Sequence, residues 1–326
     1  MSRTLIAAGG RIAGAGLLIL AVVTLNFALI QLAPGDPVEA IAGAAGGMSE
    51  ELRAQIRATY GLDRSFLEQL LAYLKQIFSG NLGYSYYFNQ PVSKLILQRL
   101  PATMLLVLSA LVISVGLGVL FGVLAARKPN GLLSQSVTFL SLVGYAAPVF
   151  WTGIVLTILF ASTFPIFPIS GMRNASAGGG LVASTLDVLW HLVLPASTLG
   201  IVYLAQYSRL TRASMLEVLG ADYIRTARAK GVGEITLLVK HGLRNAMLPV
   251  ITMIGMQFGN MIAGAVLVET VFNWPGLGRL AFDSILRRDY PTILAILACS
   301  AAMTIVANTL TDLVYQRVDP RMKDSQ

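Results

Sequence analysis

The chain has 326 residues, 55% of them hydrophobic and only 12% charged, with a formal net charge of +8 and a mean hydropathy of +0.70. A soluble domain carries roughly twice that charged fraction, so an ordinary soluble fold is excluded. The basic residues fall in short clusters between apolar runs rather than in one nucleic-acid-binding patch, and the single cysteine, Cys299, rules out a disulfide framework and a thiolate metal site.

Arg3 and Arg11 precede an apolar run from Ile12 to Ala33. The run exceeds a signal-peptide core, and no small-x-small cleavage site follows it. At about 20 residues it can cross a bilayer, so an uncleaved first span is expected. Residues 34–100 form the longest stretch that cannot be membrane. A turn cluster, Pro34-Gly35-Asp36-Pro37, opens it. Ser49 then caps a short helix, with Glu50 and Glu51 at its positive end. After Gly61-Leu62-Asp63, Phe66, Leu67, Leu70, Leu71, Leu74, Ile77 and Phe78 repeat at helical spacing, with Glu68 and Lys75 off that face. These are amphipathic helices, too short and polar to span, expected on the outer membrane surface or capping the next spans.

Further apolar runs follow at Pro101–Ala126, Leu132–Thr163, Leu189–Ser208, Leu248–Val268 and Pro291–Thr311, making six with the first. Their interiors hold no Asp, Glu, Lys or Arg; one such charge at a helix centre costs about 2.5–3.5 kcal/mol on an insertion scale. Gly116, Gly118 and Gly122, and later Gly255, Gly259 and Gly264, can let helices approach closely. Pro148 and Pro195 are expected to kink theirs. The expected fold is therefore an all-α polytopic membrane protein: six transmembrane helices, an external amphipathic-helix region and a cytoplasmic helical loop. Residues 1–33 hold the N-terminus and first span, 34–100 the external region, 101–315 a five-helix core including a loop at 210–247, and 316–326 a tail.

The short loops set the orientation. Arg3 and Arg11, Arg127 and Lys128, seven basic residues from Arg209 to Arg244, and Arg317, Arg321 and Lys323 all fall on one side. The positive-inside rule makes that side cytoplasmic, with both termini inside. Arg279, Arg287 and Arg288 are the exception, in an external loop. They are expected to pair with Asp283 and Asp289 or to bind a partner.

The segment Leu216–Pro249 is the only long, charged, helix-like stretch between two apolar spans. Leu216, Leu219, Tyr223 and Ala227 share one narrow face, with Glu217, Asp222, Arg225 and Arg228 on the others. Gly231-Val232-Gly233 ends that helix, and a second follows with Leu237, Leu238, His241 and Leu248 on a common side. The pattern alone fits a docking surface for a soluble partner and a solvated loop equally well.

The same segment resembles the loop of ABC-importer permease subunits, whose pattern is Glu-Ala-Ala, three residues, then Gly. Arg225-Thr226-Ala227 stands in place of Glu-Ala-Ala, and Gly231 is the matching glycine. The missing Glu and the late Leu248-Pro249 are similar to the dipeptide, oligopeptide and nickel importers. Pro34–Pro37, Tyr60-Gly61-Leu62-Asp63, Gly80-Asn81-Leu82-Gly83 with Ser85, Leu100–Thr103, Asn273–Arg279, Arg288–Pro291 and Asp319-Pro320-Arg321 extend the resemblance over almost the whole chain; Asn81 departs from the usual Asp. The resemblance implies docking on an ATPase subunit by Leu219, Asp222, Tyr223, Arg225, Thr226, Ala227, Arg228, Lys230, Gly231 and Glu234. It implies binding-protein handover or gating by Trp274, Pro275, Gly276, Gly278, Arg279, Arg288 and Asp289.

No G-x-x-x-x-G-K-[ST] occurs, so nothing here cradles ATP through a P-loop; no cofactor is expected on this chain, with ATP and Mg on partner subunits. His191 and His241 lack neighbours at metal spacing and are expected to be packing residues. No nucleophile–base constellation is present, so no enzyme is expected in this chain. A secondary transporter is the alternative class, but its usual mid-membrane ionisable residues are missing; an intramembrane enzyme would need catalytic residues in the spans. The implied partners are a homologous second permease, two ATP-binding cassette subunits, an external binding protein and the lipid bilayer of the inner membrane, with no nucleic acid. Di- or oligopeptides are the implied cargo, with nickel chelates or glutathione-like molecules as alternatives.

Overall fold

In a computed structural model, which describes residues 2–32, 38, 49–60, 63–85, 87–174 and 180–318, the chain is almost entirely helical. The Pro34–Pro37 turn, Gly61-Leu62 and the Asp319-Pro320-Arg321 tail lie outside the described residues. The helices are α1 Ser2–Leu32, α2 Glu50–Tyr60, α3 Phe66–Phe78, α4 Val92–Arg127, α5 Leu132–Ala146, α6 Val149–Thr163, α7 Leu181–Leu219, α8 Asp222–Ala229, α9 Glu234–Val271, α10 Leu277–Arg287 and α11 Tyr290–Val318. Between α3 and α4 a two-residue antiparallel hairpin pairs Tyr84 with Pro91 and Ser85 with Gln90.

α4, α7, α9 and the Tyr290–Thr311 part of α11 are long and apolar enough to cross a membrane, and the α5–α6 pair makes a fifth candidate. The chain is thus an all-α polytopic membrane protein. Among the described residues of α1 the apolar segment is the shorter Gly16–Leu29. The expected run Leu132–Thr163 is divided into α5 and α6, which meet at a bend of 106° at Pro148, the residue expected to kink it. Proline drives the residue before it out of the helical region. Ala147 is accordingly extended, with φ −77 and ψ 129, and Pro148 begins α6 as its N-cap. Pro195 and Pro101 instead lie inside α7 and α4. The second half of α6, Ile158–Thr163, and the segment Leu237–Leu243 of α9 are π-helical.

The described residues form two compact units. One comprises the described residues of 2–101 and 279–305, the other those of 102–278 and 306–318. In the first, Phe27 of α1, Leu70 of α3 and Leu294 of α11 make a small apolar cluster, with Tyr73 and Leu74 packed against it. The Phe27 and Tyr73 rings stack 5.4 Å apart. A capping box starts α3: the Glu68 amide donates to Ser65 Oγ at 3.4 Å, and the Ser65 amide donates to Glu68 Oε2 at 3.0 Å. Hydrogen bonds from the Ser65 hydroxyl and amide hold the Glu68 carboxyl below its ordinary range, because they favour its charged form. Phe66, Leu67, Leu71 and Phe78 remain exposed along the helix.

The second unit is built around α7. Its contact with α4 depends on two small residues: a Cβ on Gly118 would lie 2.6 Å from Tyr207 Cβ, and one on Gly122 would lie 2.6 Å from Thr211 Cβ. Gly255 of α9 gives the same close approach to Thr311, at 2.7 Å, while Gly116 faces no neighbour. On α7 the buried Thr198 hydroxyl bonds back to the Leu194 carbonyl at 2.8 Å, whereas the buried hydroxyls of Tyr207, Ser208 and Thr211 have no hydrogen-bond partner among the described residues. The Thr198 bond is the usual way Ser and Thr are satisfied within spans.

Candidate functional site

Two loops carry the residues singled out from the sequence, and both lie at helix ends. The first joins α7 to α9. The expected continuous helix from Leu216 is broken at Gly220-Ala221, where Ala221 is extended with φ −71 and ψ 150. The break separates the apolar stripe. Leu216 and Leu219, with Leu243, pack on a cluster of Ala126, Met215, Leu238 and Ala246, so both leucines belong to the unit's own core. Tyr223 is 45% exposed, Ala227 is half-buried, and Asp222, Arg225, Thr226, Arg228 and Lys230 are exposed. The anchor of α8 is Ile224, at 0% exposure, which the stripe argument passed over. A helical wheel continued through Gly220 misassigns every face beyond the break.

Further contacts fix α8. Asn245 Nδ2 donates to the Tyr223 hydroxyl at 2.8 Å. Arg127 Nε, at the end of α4, donates to Glu234 Oε1 at 3.2 Å, with both side chains about half exposed. At the helix end, the Gly231 amide donates to the Arg228 carbonyl at 3.0 Å and the Val232 amide to the Ala227 carbonyl at 3.2 Å. This pair of bonds is a Schellman motif, and it requires a left-handed residue at its centre. Gly231 fills that position with φ +77, and a Cβ there would meet nothing within 4 Å. The glycine is therefore needed for its dihedral and not for space. Leu237 and Leu238 are buried and His241 is half-buried.

The second loop follows α9. The chain turns at Asn273, φ 54, and encloses Trp274, which is 0% exposed. The Trp274 amide donates to the Glu269 carbonyl at 2.8 Å, and its indole N–H donates to the Ala102 carbonyl at 2.9 Å. Glu269 lies just past the apolar run Leu248–Val268, but α9 extends to Val271 and the residue is fully buried. Its Oε1 accepts the Thr103 hydroxyl at 2.6 Å, and Thr103 Oγ1 in turn accepts the Leu277 amide at 2.7 Å. Gly276 and Gly278 lie over that carboxyl: a Cβ on Gly276 would overlap the Glu269 carboxyl group, and one on Gly278 would reach the Val266 backbone at 2.5 Å. Trp274, Gly276 and Gly278 thus hold the turn together, and Pro275 is half-buried. Glu269 and Thr103 were not among the sequence candidates. A carboxylate one residue beyond an apolar run, followed by a glycine-rich turn, was the available signal.

Beyond Gly278 lie residues of the first unit. Arg279 Nε is 3.8 Å from Asp283 Oδ2, the pairing expected from the sequence. Asp289 takes no arginine partner among the described residues; it is buried and accepts the Ser85 hydroxyl at 2.5 Å and the Thr292 hydroxyl at 2.6 Å. Arg288 is exposed with φ 54, and Arg287 lies 5.0 Å over the Tyr87 ring. His191 Nδ1 lies 2.8 Å from the Asp187 carbonyl oxygen, and no group of His, Cys, Asp and Glu among the described residues could hold a metal ion.

The chain is similar to three relatives along nearly its full length. The dipeptide transport system permease protein DppB of Escherichia coli (strain K12) is 41% identical, over 92% of this chain and 93% of the relative. The oligopeptide transport system permease protein AppB of Bacillus subtilis (strain 168) is 39% identical, over 94% and 95%. The di/tripeptide transport system permease protein DppB of Pseudomonas aeruginosa (strain UCBPP-PA14) is 40% identical, over 93% and 94%. Residues 1–107 match the N-terminal model of binding-protein-dependent transport system membrane components, and residues 118–324 match the inner membrane component itself. The chain belongs to the family of binding-protein-dependent transport system inner membrane components.

Proposed function

We propose that this chain is the permease subunit of an ATP-driven importer that carries peptides delivered by an external binding protein. The observation that carries this reading is the 39–41% identity, along more than nine-tenths of the chain, to permeases named for dipeptide, oligopeptide and di/tripeptide transport. The chain would form half of the pathway beside a homologous second permease, with two separate ATPase subunits docked on the 220–236 loop. The loop is suited to that task. Its outer face is charged and exposed, while Ile224, the Arg127–Glu234 pair and the Schellman turn tie it to the ends of α4, α7 and α9. A push on α8 therefore moves helix ends rather than a slack linker.

In this reading α1 and the bent α5–α6 pair complete six spans, both termini face the cytoplasm, and the exposed apolar side of α3 rests on the outer membrane surface. The loop charges support that orientation. Proteoliposomes holding both permeases and both ATPases should take up Ala-Ala only with ATP and the binding protein present. Gradient-driven uptake by the lone chain would replace this reading with a secondary transporter. In intact cells Gln76→Cys should react with an impermeant thiol reagent and Arg228→Cys should not; the reverse would invert the topology.

A further inference from the structure

A chain of three neutral amides lies inside the spans. Gln257 and Asn260 lie at the middle of the apolar run Leu248–Val268 of α9, and Gln206 faces them from α7. Asn260 Nδ2 donates to Gln257 Oε1 at 2.8 Å, and Gln257 Nε2 donates to Gln206 Oε1. Gln257 is buried, Gln206 half-buried and Asn260 exposed. Asn260 falls on a stripe with Thr252, Met256, Ala263 and Leu267, all exposed and at helical spacing on one side of α9. Hydrocarbon offers an amide no hydrogen bond, so intramembrane polar groups face a pathway or a partner rather than lipid.

The bonding pattern narrows the occupant. With the amides turned as they are, the two N–H···O bonds leave the Asn260 oxygen without a donor and both N–H groups of Gln206 unspent. Here the ends are Asn260 Oδ1 and Gln206 Nε2. A peptide group presents one N–H and one C=O, the complement of that pair. No Asp, Glu, Lys or Arg shares the run Leu248–Val268, so on α9 the amides are the polar groups that a ligand meets. Gln206 also lines a cavity of about 150 Å³ with Thr138, Ser141, Tyr145, Arg209 and Arg212, which gives a ligand room at the Gln206 end of the chain, beside two cationic side chains. We propose that Gln206, Gln257 and Asn260 form a transit site for the peptide main chain, reading the backbone group that peptides of different length and sequence share. This rests on the peptide-importer reading and deepens it.

The test compares uptake of Ala-Ala and Ala-Sar, which lacks the peptide N–H, in proteoliposomes of the full importer with its binding protein. Each variant is scored against wild type, so any preference of the binding protein cancels. Asn260→Leu and Gln257→Leu should each lower Ala-Ala uptake about tenfold, the scale of one lost buried hydrogen-bond partner. Ala-Sar uptake should change less than twofold, so the preference for Ala-Ala collapses; Asn260→Gln should restore much of it. Equal losses for both peptides, or an unchanged ratio, would overturn the site. So would loss of co-purification with the second permease, which would assign the amides to the subunit interface. A wild-type complex that imports neither peptide would overturn the peptide reading and the site together.

Discussion

The two loops look alike as sequence and differ as structure. Each is a glycine-bearing connection at the end of a long apolar helix, and each carries residues with a family resemblance. In the 220–236 loop one residue of α8, Ile224, is fully buried and the charged residues around it face out. In the 272–278 turn the order is inverted: Phe272, Trp274 and Leu277 are at most 2% exposed, and Gly276 and Gly278 lie over the Glu269 carboxyl. The glycines differ in the same way. Gly231 is required by its dihedral in open space, whereas Gly276 is required because a carboxyl group occupies the place of its Cβ. A glycine-bearing loop thus serves as an exposed surface in one place and as a packed joint in the other, and only burial separates the two.

The comparison can be broken most sharply at Trp274. Trp274→Ala removes a fully buried indole and leaves the Ala102 carbonyl without its donor, so the chain should lose about 3–5 kcal/mol of stability. Thermal unfolding of the purified importer in detergent should show a large fall in melting temperature. A normally stable complex with lost response to the binding protein would instead make Trp274 a contact residue.

Ile224→Ala comes next. A fully buried Ile truncated to Ala costs about 2–5 kcal/mol in a core, and a one-anchor helix can escape part of that by detaching. The spans should therefore stay folded while α8 becomes open to protease and transport fails. Limited proteolysis at Arg225 and Arg228 reads this directly, and protection equal to wild type would show that α8 has another anchor.

The smallest structural effect with a large functional one is expected at Gly231. A Val there meets no atom but must hold φ near +77, at a cost of about 1 kcal/mol or somewhat more for a branched side chain. Abundance should be normal, while uptake is lost because the Schellman turn no longer aims the segment after α8. Arg225→Ala is the matched control. Its link to Asp222 spans 3.5 Å between exposed groups, and such pairs contribute little. Wild-type uptake by Gly231→Val importers would disprove the coupling role of this loop.

Much of this was legible in the chain, for identifiable reasons. A span must be about 20 apolar residues long and free of charge, so the runs in α4, α7, α9 and α11 declare themselves. The Schellman glycine was legible because only a few residues tolerate its dihedral. The faces of α8 were not, since a break at Gly220-Ala221 shifts the register, and no periodicity crosses a break. The 106° bend was half legible: Pro148 marks where the helix must yield, but not whether it kinks or ends.

What the sequence determined by itself is what local chemistry and the membrane enforce: long apolar helices and an amphipathic α3. Tertiary structure decided which polar groups face inward. Glu269 is indistinguishable in sequence from a solvated carboxylate at a helix end; it is buried because Thr103, 166 residues away, supplies its hydrogen bond. Asp289 and Ser85 find each other across 204 residues, and Gln206 and Gln257 across 51. Burying a carboxylate is costly unless its partner is in place, and the pairing of distant residues is a property of the fold.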